Sequence, residues 1–179
     1  MTNYELPKKV SEPGTIVQIG EKLWQLVKNN EAVVDYSEDW AGAVPSEYEE
    51  DWTSLYGWED QKSEEFRFHY KVGGDTVSEL KWKYTWSAHG KDKNDVGNYI
   101  MNGGCTIEKL YARVGQTLNA QVSSRAPLNY GTPDNPIAGI DIELSFTSAS
   151  AFNSETTTCT VTIRGDADYN IKECHGNDP

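Results

Sequence analysis

The strongest constraint on this 179-residue chain is a period of two. In 65–72 the apolar residues Phe66, Phe68, Tyr70 and Val72 fall on every second position, and in 78–87 Leu80, Trp82, Tyr84 and Trp86 do the same. Ile140, Ile142, Leu144 and Phe146 repeat the pattern, and Cys159, Val161 and Ile163 return it. Successive side chains of a strand point to opposite faces, so each run has one face to bury and one to leave in water. Half-buried strands need a second layer to cover them. Shorter runs at 32–36, 99–101, 106–114 and 116–123 extend the series, with Gly103-Gly104, Gly115, Pro127, Pro133 and Pro136 as breaks. The fold class expected is mainly all-β, an antiparallel two-layer β-sandwich or a jelly-roll-like barrel. Phe66, Phe68, Leu80, Trp82, Ile142, Leu144 and Val161 are the expected core.

Parity also constrains the hairpins. A two-residue loop at Gly73-Gly74 would set Phe68 opposite Glu79 and put the two apolar sets on opposite faces. A three-residue loop, Gly73-Gly74-Asp75, pairs Phe68 with Leu80 and Phe66 with Trp82. The later hairpin is expected to fold near Phe152-Asn153, with Phe146 opposite Cys159 and Ile142 opposite Ile163.

One element departs from the strand pattern. Thr15 can cap a helix after Pro13-Gly14, and Ile16, Ile19, Leu23, Leu26 and Val27 follow at helical spacing to Asn29-Asn30. The spacing predicts an N-terminal amphipathic α-helix over 15–29, with Gly20 costing about 1 kcal/mol against alanine. The domain plan is a leader or arm at 1–12, a single β-sandwich domain over 13–170, and a flexible tail at 171–179.

Between the expected helix and the first long strand lies an acidic aromatic segment, 38–65. It holds ten acids and one base, Lys62, or −9 of the net −12. It also carries Trp40, Trp52 and Trp58, with Tyr48 and Tyr56 between them. A long segment without periodicity is either a functional loop or a cover that staples aromatic rings onto the core. Exposed rings stack on sugar faces while carboxylates take the hydroxyls. The expected ligand-binding residues are therefore Trp40, Glu49, Asp51, Trp52, Tyr56 and Trp58.

The function expected is a non-enzymatic binding or interaction protein, most concretely lectin-like and carbohydrate-binding. Its partner would be a glycan, another small ligand or a protein. The alternative is a membrane-active, pore-forming or toxin-like β protein using the Ser/Thr-rich hairpin 147–160, although its apolar alternation stops after Phe146. A third reading, a hydrolase acting on a glycan, needs two opposed carboxyls. The acidic balance speaks against nucleic acid, which selects clustered Lys and Arg.

Other chemistry finds little support in the sequence. There is no G-x-S-x-G, phosphate loop or dinucleotide fingerprint, and no cofactor is expected. His69, His89 and His175 read as solvated side chains. The 92–103 stretch has the opening of a calcium loop but Val96 and Gly103 where ligands belong, so it fails. Asp166 and Asp168 form a weak calcium alternative, since turns select the same residues. Cys105, Cys159 and Cys174 are too few for a disulfide framework; Cys159 and Cys174 allow one bridge, with free buried thiols the commoner outcome. No apolar run approaches the roughly 20 residues of a membrane helix. The opening Met1-Thr2-Asn3-Tyr4 does not read as a signal peptide, which leaves a soluble protein, cytoplasmic or exported with its leader removed.

Overall fold

The computed structural model describes residues 15–34, 39–59 and 62–174. Twelve strands run in the order β1 (Ile16–Gly20), β2 (Leu23–Lys28), β3 (Glu31–Ala32), β4 (Ala41–Pro45), β5 (Lys62–Val72), β6 (Asp75–Gly90), β7 (Tyr99–Ala112), β8 (Thr117–Ser124), β9 (Leu128–Asn129), β10 (Ala138–Ala149), β11 (Ser154–Arg164) and β12 (Tyr169–Cys174). They form two sheets, β1-β4-β7-β6-β5 and β12-β11-β10-β8-β2-β3, with β9 pairing β10. All the strand pairings are antiparallel and neither sheet closes into a barrel, so the architecture is the sandwich.

The sheets meet through the period-two faces. Phe68 and Trp82 of the first sheet pack on Phe146 of the second, with ring centroids 4.3 and 5.7 Å apart. All seven expected core residues are buried. Several polar groups on the inner face find partners across the gap, although among the described residues the buried indole N–H groups of Trp24 and Trp82 have none. The Tyr84 hydroxyl donates to the Cys159 carbonyl at 2.6 Å, and the Trp86 indole N–H donates to the Arg164 carbonyl at 3.1 Å. Buried Ser148 joins Ser78 at 2.6 Å and accepts from the Gln116 amide at 2.8 Å. These contacts hold the 147–160 hairpin within the sandwich.

The first hairpin reconciles two demands that the sequence sets against each other. Its turn is two residues long, Gly73-Gly74, with φ of 60° and 88°, the conformation that suits a tight hairpin. Phe68 nevertheless pairs with Leu80 and Phe66 with Trp82, as parity demands. The register shifts between Tyr70 and Lys71, where β6 carries one extra residue, Val77. A β-bulge, not a longer loop, restores the face. In the later hairpin, Phe146 pairs with Thr157, Leu144 with Cys159 and Ile142 with Val161. The expected register is wrong by two residues, which keeps the faces and moves only the partners.

Residues 16–28 are strands rather than the expected helix. A bulge explains the misleading spacing. β2 shifts register against β8 between Gln25 and Val27, so Leu26 and Val27 both turn inward and are fully buried. The Gln25 amide stabilises the bulge by donating to the Val27 and Ala120 carbonyls at 2.6 and 2.8 Å. Leu23, counted in the helical pattern, is 56% exposed, while Trp24, which was not counted, is buried. Gly20 sits at φ +80°, and a Cβ there would lie 2.2 Å from the Trp40 carbonyl oxygen, so it makes the corner between β1 and β2. Asn29-Asn30, at φ 48° and 69°, is the β2–β3 turn.

At the other terminus, residues 171–174 are not tail but part of edge strand β12. Cys159 pairs with Cys174 across that edge and is joined to it by a disulfide, while Cys105 remains a buried free thiol. The leader 1–12, His175 and residues 35–36 lie outside the described residues. Of the rest of the short strand expected at 32–36, only Ala32 is strand, paired in β3, while Val33 and Val34 are not. Among the described residues no helix is long and apolar enough to cross a membrane.

Candidate ligand-binding site

The acidic aromatic segment crosses one end of the first sheet. Two single 3-10 turns, Ser46–Tyr48 and Trp52–Ser54, lead to buried Leu55. Tyr56 then pairs with Lys91, its backbone N–H and C=O both engaged at 3.1 and 2.8 Å, and the Glu59 N–H donates to the Ala88 carbonyl at 3.2 Å. The segment is thus tied to the end of β6 by backbone hydrogen bonds.

Its rings are seated differently. Trp58 donates its indole N–H to the Leu55 carbonyl at 3.2 Å and covers Gly90, where a Cβ would lie 2.3 Å from the ring. Trp52 meets Trp40 edge-on, with centroids 5.2 Å apart. The Tyr56 hydroxyl donates to Asp95 at 3.0 Å, and the Tyr48 hydroxyl accepts from the Lys93 N–H at 3.1 Å. Desolvation and the Asp95 contact both raise the Tyr56 pKa. Each of the three Trp is partly buried against the core, with one edge in water. The segment therefore covers the core while leaving part of each ring accessible.

Only Trp40 among them borders the cleft of about 210 Å³ formed with Asp39, Thr85, Asn102, Gly104, Cys105 and Thr106. β6 supplies Thr85 and β7 supplies Asn102, Gly104, Cys105 and Thr106, while Asp39 and Trp40 lie just before β4. Asn102 adopts φ 55° just before Gly103-Gly104. Gly103 has no room for a side chain, since a Cβ would approach the Ala41 carbonyl at 2.8 Å. The liners offer one indole, one carboxylate, hydroxyls and an amide. Burial pushes the Cys105 thiol well above its ordinary pKa, so no thiolate nucleophile stands here at neutral pH. Among the described residues the liners include one carboxylate, that of Asp39.

The six expected site residues do not converge on one recess. Trp40 borders the cleft just described, whereas Glu49 borders a separate one with Ile16, Gln18, Lys22, Ser124 and Pro127. Asp51 is exposed, Trp52 backs Trp40, Tyr56 ties down the 91–98 loop, and Trp58 covers Gly90. Sequence reasoning misses Thr85, Asn102 and Thr106, which lie on strands far along the chain. The Asn-Gly-Gly run at 102–104 is the one signal that marks them.

The calcium alternative meets a cation already in place. Arg164 reaches Asp166 at 2.6 Å and Asp168 at 4.0 Å. The same carboxylates accept turn N–H groups, from Asp168 at 3.2 Å and Tyr169 at 2.9 Å. Asp92, first residue of the failed calcium loop, is likewise engaged by the N–H groups of Asn94 and Val96 at 2.8 and 3.1 Å. Among the described residues no group of three or more His, Cys, Asp or Glu is arranged to hold a metal ion.

The strand runs with one apolar face and the two packed sheets define an all-β sandwich. Compared with models of known protein families, with curated proteins and with solved structures, the chain matches none.

Proposed function

We propose that this β-sandwich is a non-enzymatic binding module whose cleft beside Trp40 takes a sugar residue of a glycan. The observation that carries the reading is the composition of that cleft: a partly exposed indole standing among the Asp39 carboxylate, the Thr85 and Thr106 hydroxyls and the Asn102 amide. An aromatic face gives a sugar's C–H surface something to lie on, and a few convergent polar groups fix its hydroxyls. A volume of about 210 Å³ suits one ring rather than a long chain. Trp52 supports the site by holding Trp40 edge-on, and Trp58 supports it by clamping the segment to Gly90. The Cys159–Cys174 bridge accords with an oxidising compartment, where exported glycan-binding proteins work.

A glycan array tests the reading. Wild-type protein should bind a subset of saccharides, and Trp40→Ala should lose that binding while Glu49→Gln, outside the cleft, keeps it. Unchanged array binding by Trp40→Ala would remove the proposal.

A further inference from the structure

The end of the sandwich opposite the acidic segment is built differently. The turns 73–74, 113–116 and 150–153 gather there, and two of them carry bare apolar side chains at their tips. Val114 is 100% exposed and Phe152 is 93% exposed, the highest values among the large exposed hydrophobic residues. They border one recess of about 310 Å³, with Val72 and Val77 in its wall and Arg113 and Asn153 at its rim. Chance placement of a lone exposed apolar residue is ordinary, but two tips flanking one recess make a patch.

Charge distinguishes the two ends. Around the tips Lys71 and Arg113 balance Asp75 and Glu155, so this end is neutral although the chain carries −12. Glu47, Glu49, Glu50, Asp51 and Glu59 belong to the segment tied to the far end of β6. With its 16 residues at about 3.3 Å each, that strand separates the two ends by about 50 Å. Several Debye lengths lie between them at physiological salt.

From this polarity we propose that the Val114 and Phe152 tips dock the protein on the surface of a zwitterionic phospholipid bilayer. Isolated protruding side chains suit a fluid interface, which closes around them, better than a rigid complementary surface. Exposed Arg113 adjoins Val114 in the chain and borders the same recess, where its guanidinium can meet a headgroup phosphate, and Asn153 adds a polar side chain beside Phe152. The acidic end then points into water, away from the membrane. Docking leaves every strand in place: the 150–153 loop is closed by the Ser150 N–H donating to the Asn153 carbonyl at 2.7 Å, and Ser148 stays bonded in the core. Anionic lipid should bind more weakly than zwitterionic lipid at low salt, because the net charge of −12 repels it.

Co-sedimentation with sucrose-loaded phosphatidylcholine vesicles is the test, with Phe152→Ser, Val114→Ser and the double variant beside wild type. Both residues lie outside the core, so the variants should keep the wild-type melting temperature. Each substitution should weaken partitioning by about tenfold or more, and the double variant should stay in the supernatant. Replacing part of the phosphatidylcholine with phosphatidylserine should reduce binding at low salt. Wild type that remains in the supernatant, or a double variant that still sediments, overturns the proposal. So does self-association of wild type that the double variant lacks, since the patch would then be a protein interface. Release of an encapsulated dye would overturn it as well, because docked loops do not open a bilayer.

Discussion

Gly90→Ala should dislodge Trp58 and loosen the segment that carries the proposed site. A methyl group at position 90 would lie 2.3–2.6 Å from three ring carbons of Trp58, well inside contact distance, so the ring must leave. Its departure loses the indole hydrogen bond to Leu55, worth about 1 kcal/mol. Exposing a partly buried ring loses about 1–2 kcal/mol more, scaled down from the value for full burial. Alanine returns about 0.5–1 kcal/mol by restricting the unfolded chain. The net cost is about 2 kcal/mol, or a fall of about 4–8 °C in Tm for a domain of this size. The assay is urea unfolding together with acrylamide quenching of tryptophan fluorescence, which should rise as Trp58 enters water. Comparing Gly90→Ala in the wild-type and Trp58→Ala backgrounds isolates the contact. If the substitution costs as much without Trp58 as with it, or costs less than about 0.5 kcal/mol with unchanged quenching, the seating of Trp58 is not what fixes the segment.

Three further outcomes follow from the packing and charge described above. Leu144→Ala, at a fully buried site between the sheets, should cost about 2–5 kcal/mol in denaturant unfolding. A loss below about 0.5 kcal/mol would mean that its side chain does not face the core. Cys174→Ser opens a bridge of sequence separation 15 and should cost about 3 kcal/mol, read as a lower urea midpoint that reductant no longer alters. The Lys109 hydrogen bond at 2.9 Å, with help from His69 at 3.1 Å, lowers the Glu79 pKa against the opposing effect of desolvation. A carboxylate lowered on folding contributes stability above its unfolded pKa and loses it as pH falls through the folded one. Glu79→Gln should therefore flatten the decline in stability on acidification below about pH 4.3, and an unchanged decline would assign it to other carboxylates.

Where strands are regular, the sequence alone was enough. Phe66, Phe68, Leu80 and Trp82 declare their face because parity is strict along an unbroken strand, and their pairing followed from it. Bulges defeated the same reasoning. Val77 adds one residue to β6 and lets a two-residue turn serve where parity asked for three. Leu26 adds one to β2 and makes two neighbours point inward, which imitates the spacing of a helix. A bulge is fixed by the partner strand and by side chains such as Gln25, neither of which local periodicity contains. The candidate site was legible only in part for a related reason. Trp40 stood out by composition, but Thr85, Asn102 and Thr106 reach it through strand pairing across some 45–65 residues of chain. Composition also grouped Glu49 with Trp40, although the backbone turns it toward a different recess.

Under the proposed function Trp40, and not the aromatic segment as a whole, meets the ligand. Six tryptophans give six indole N–H signals in a heteronuclear correlation spectrum, each assignable from a Trp→Phe variant. Titration with the best saccharide from the array should shift the Trp40 indole and the Asn102 side-chain amide, and leave the Trp58 indole, seated on Gly90, where it was. A saturable shift of Trp58 with Trp40 and Asn102 unmoved would contradict the account.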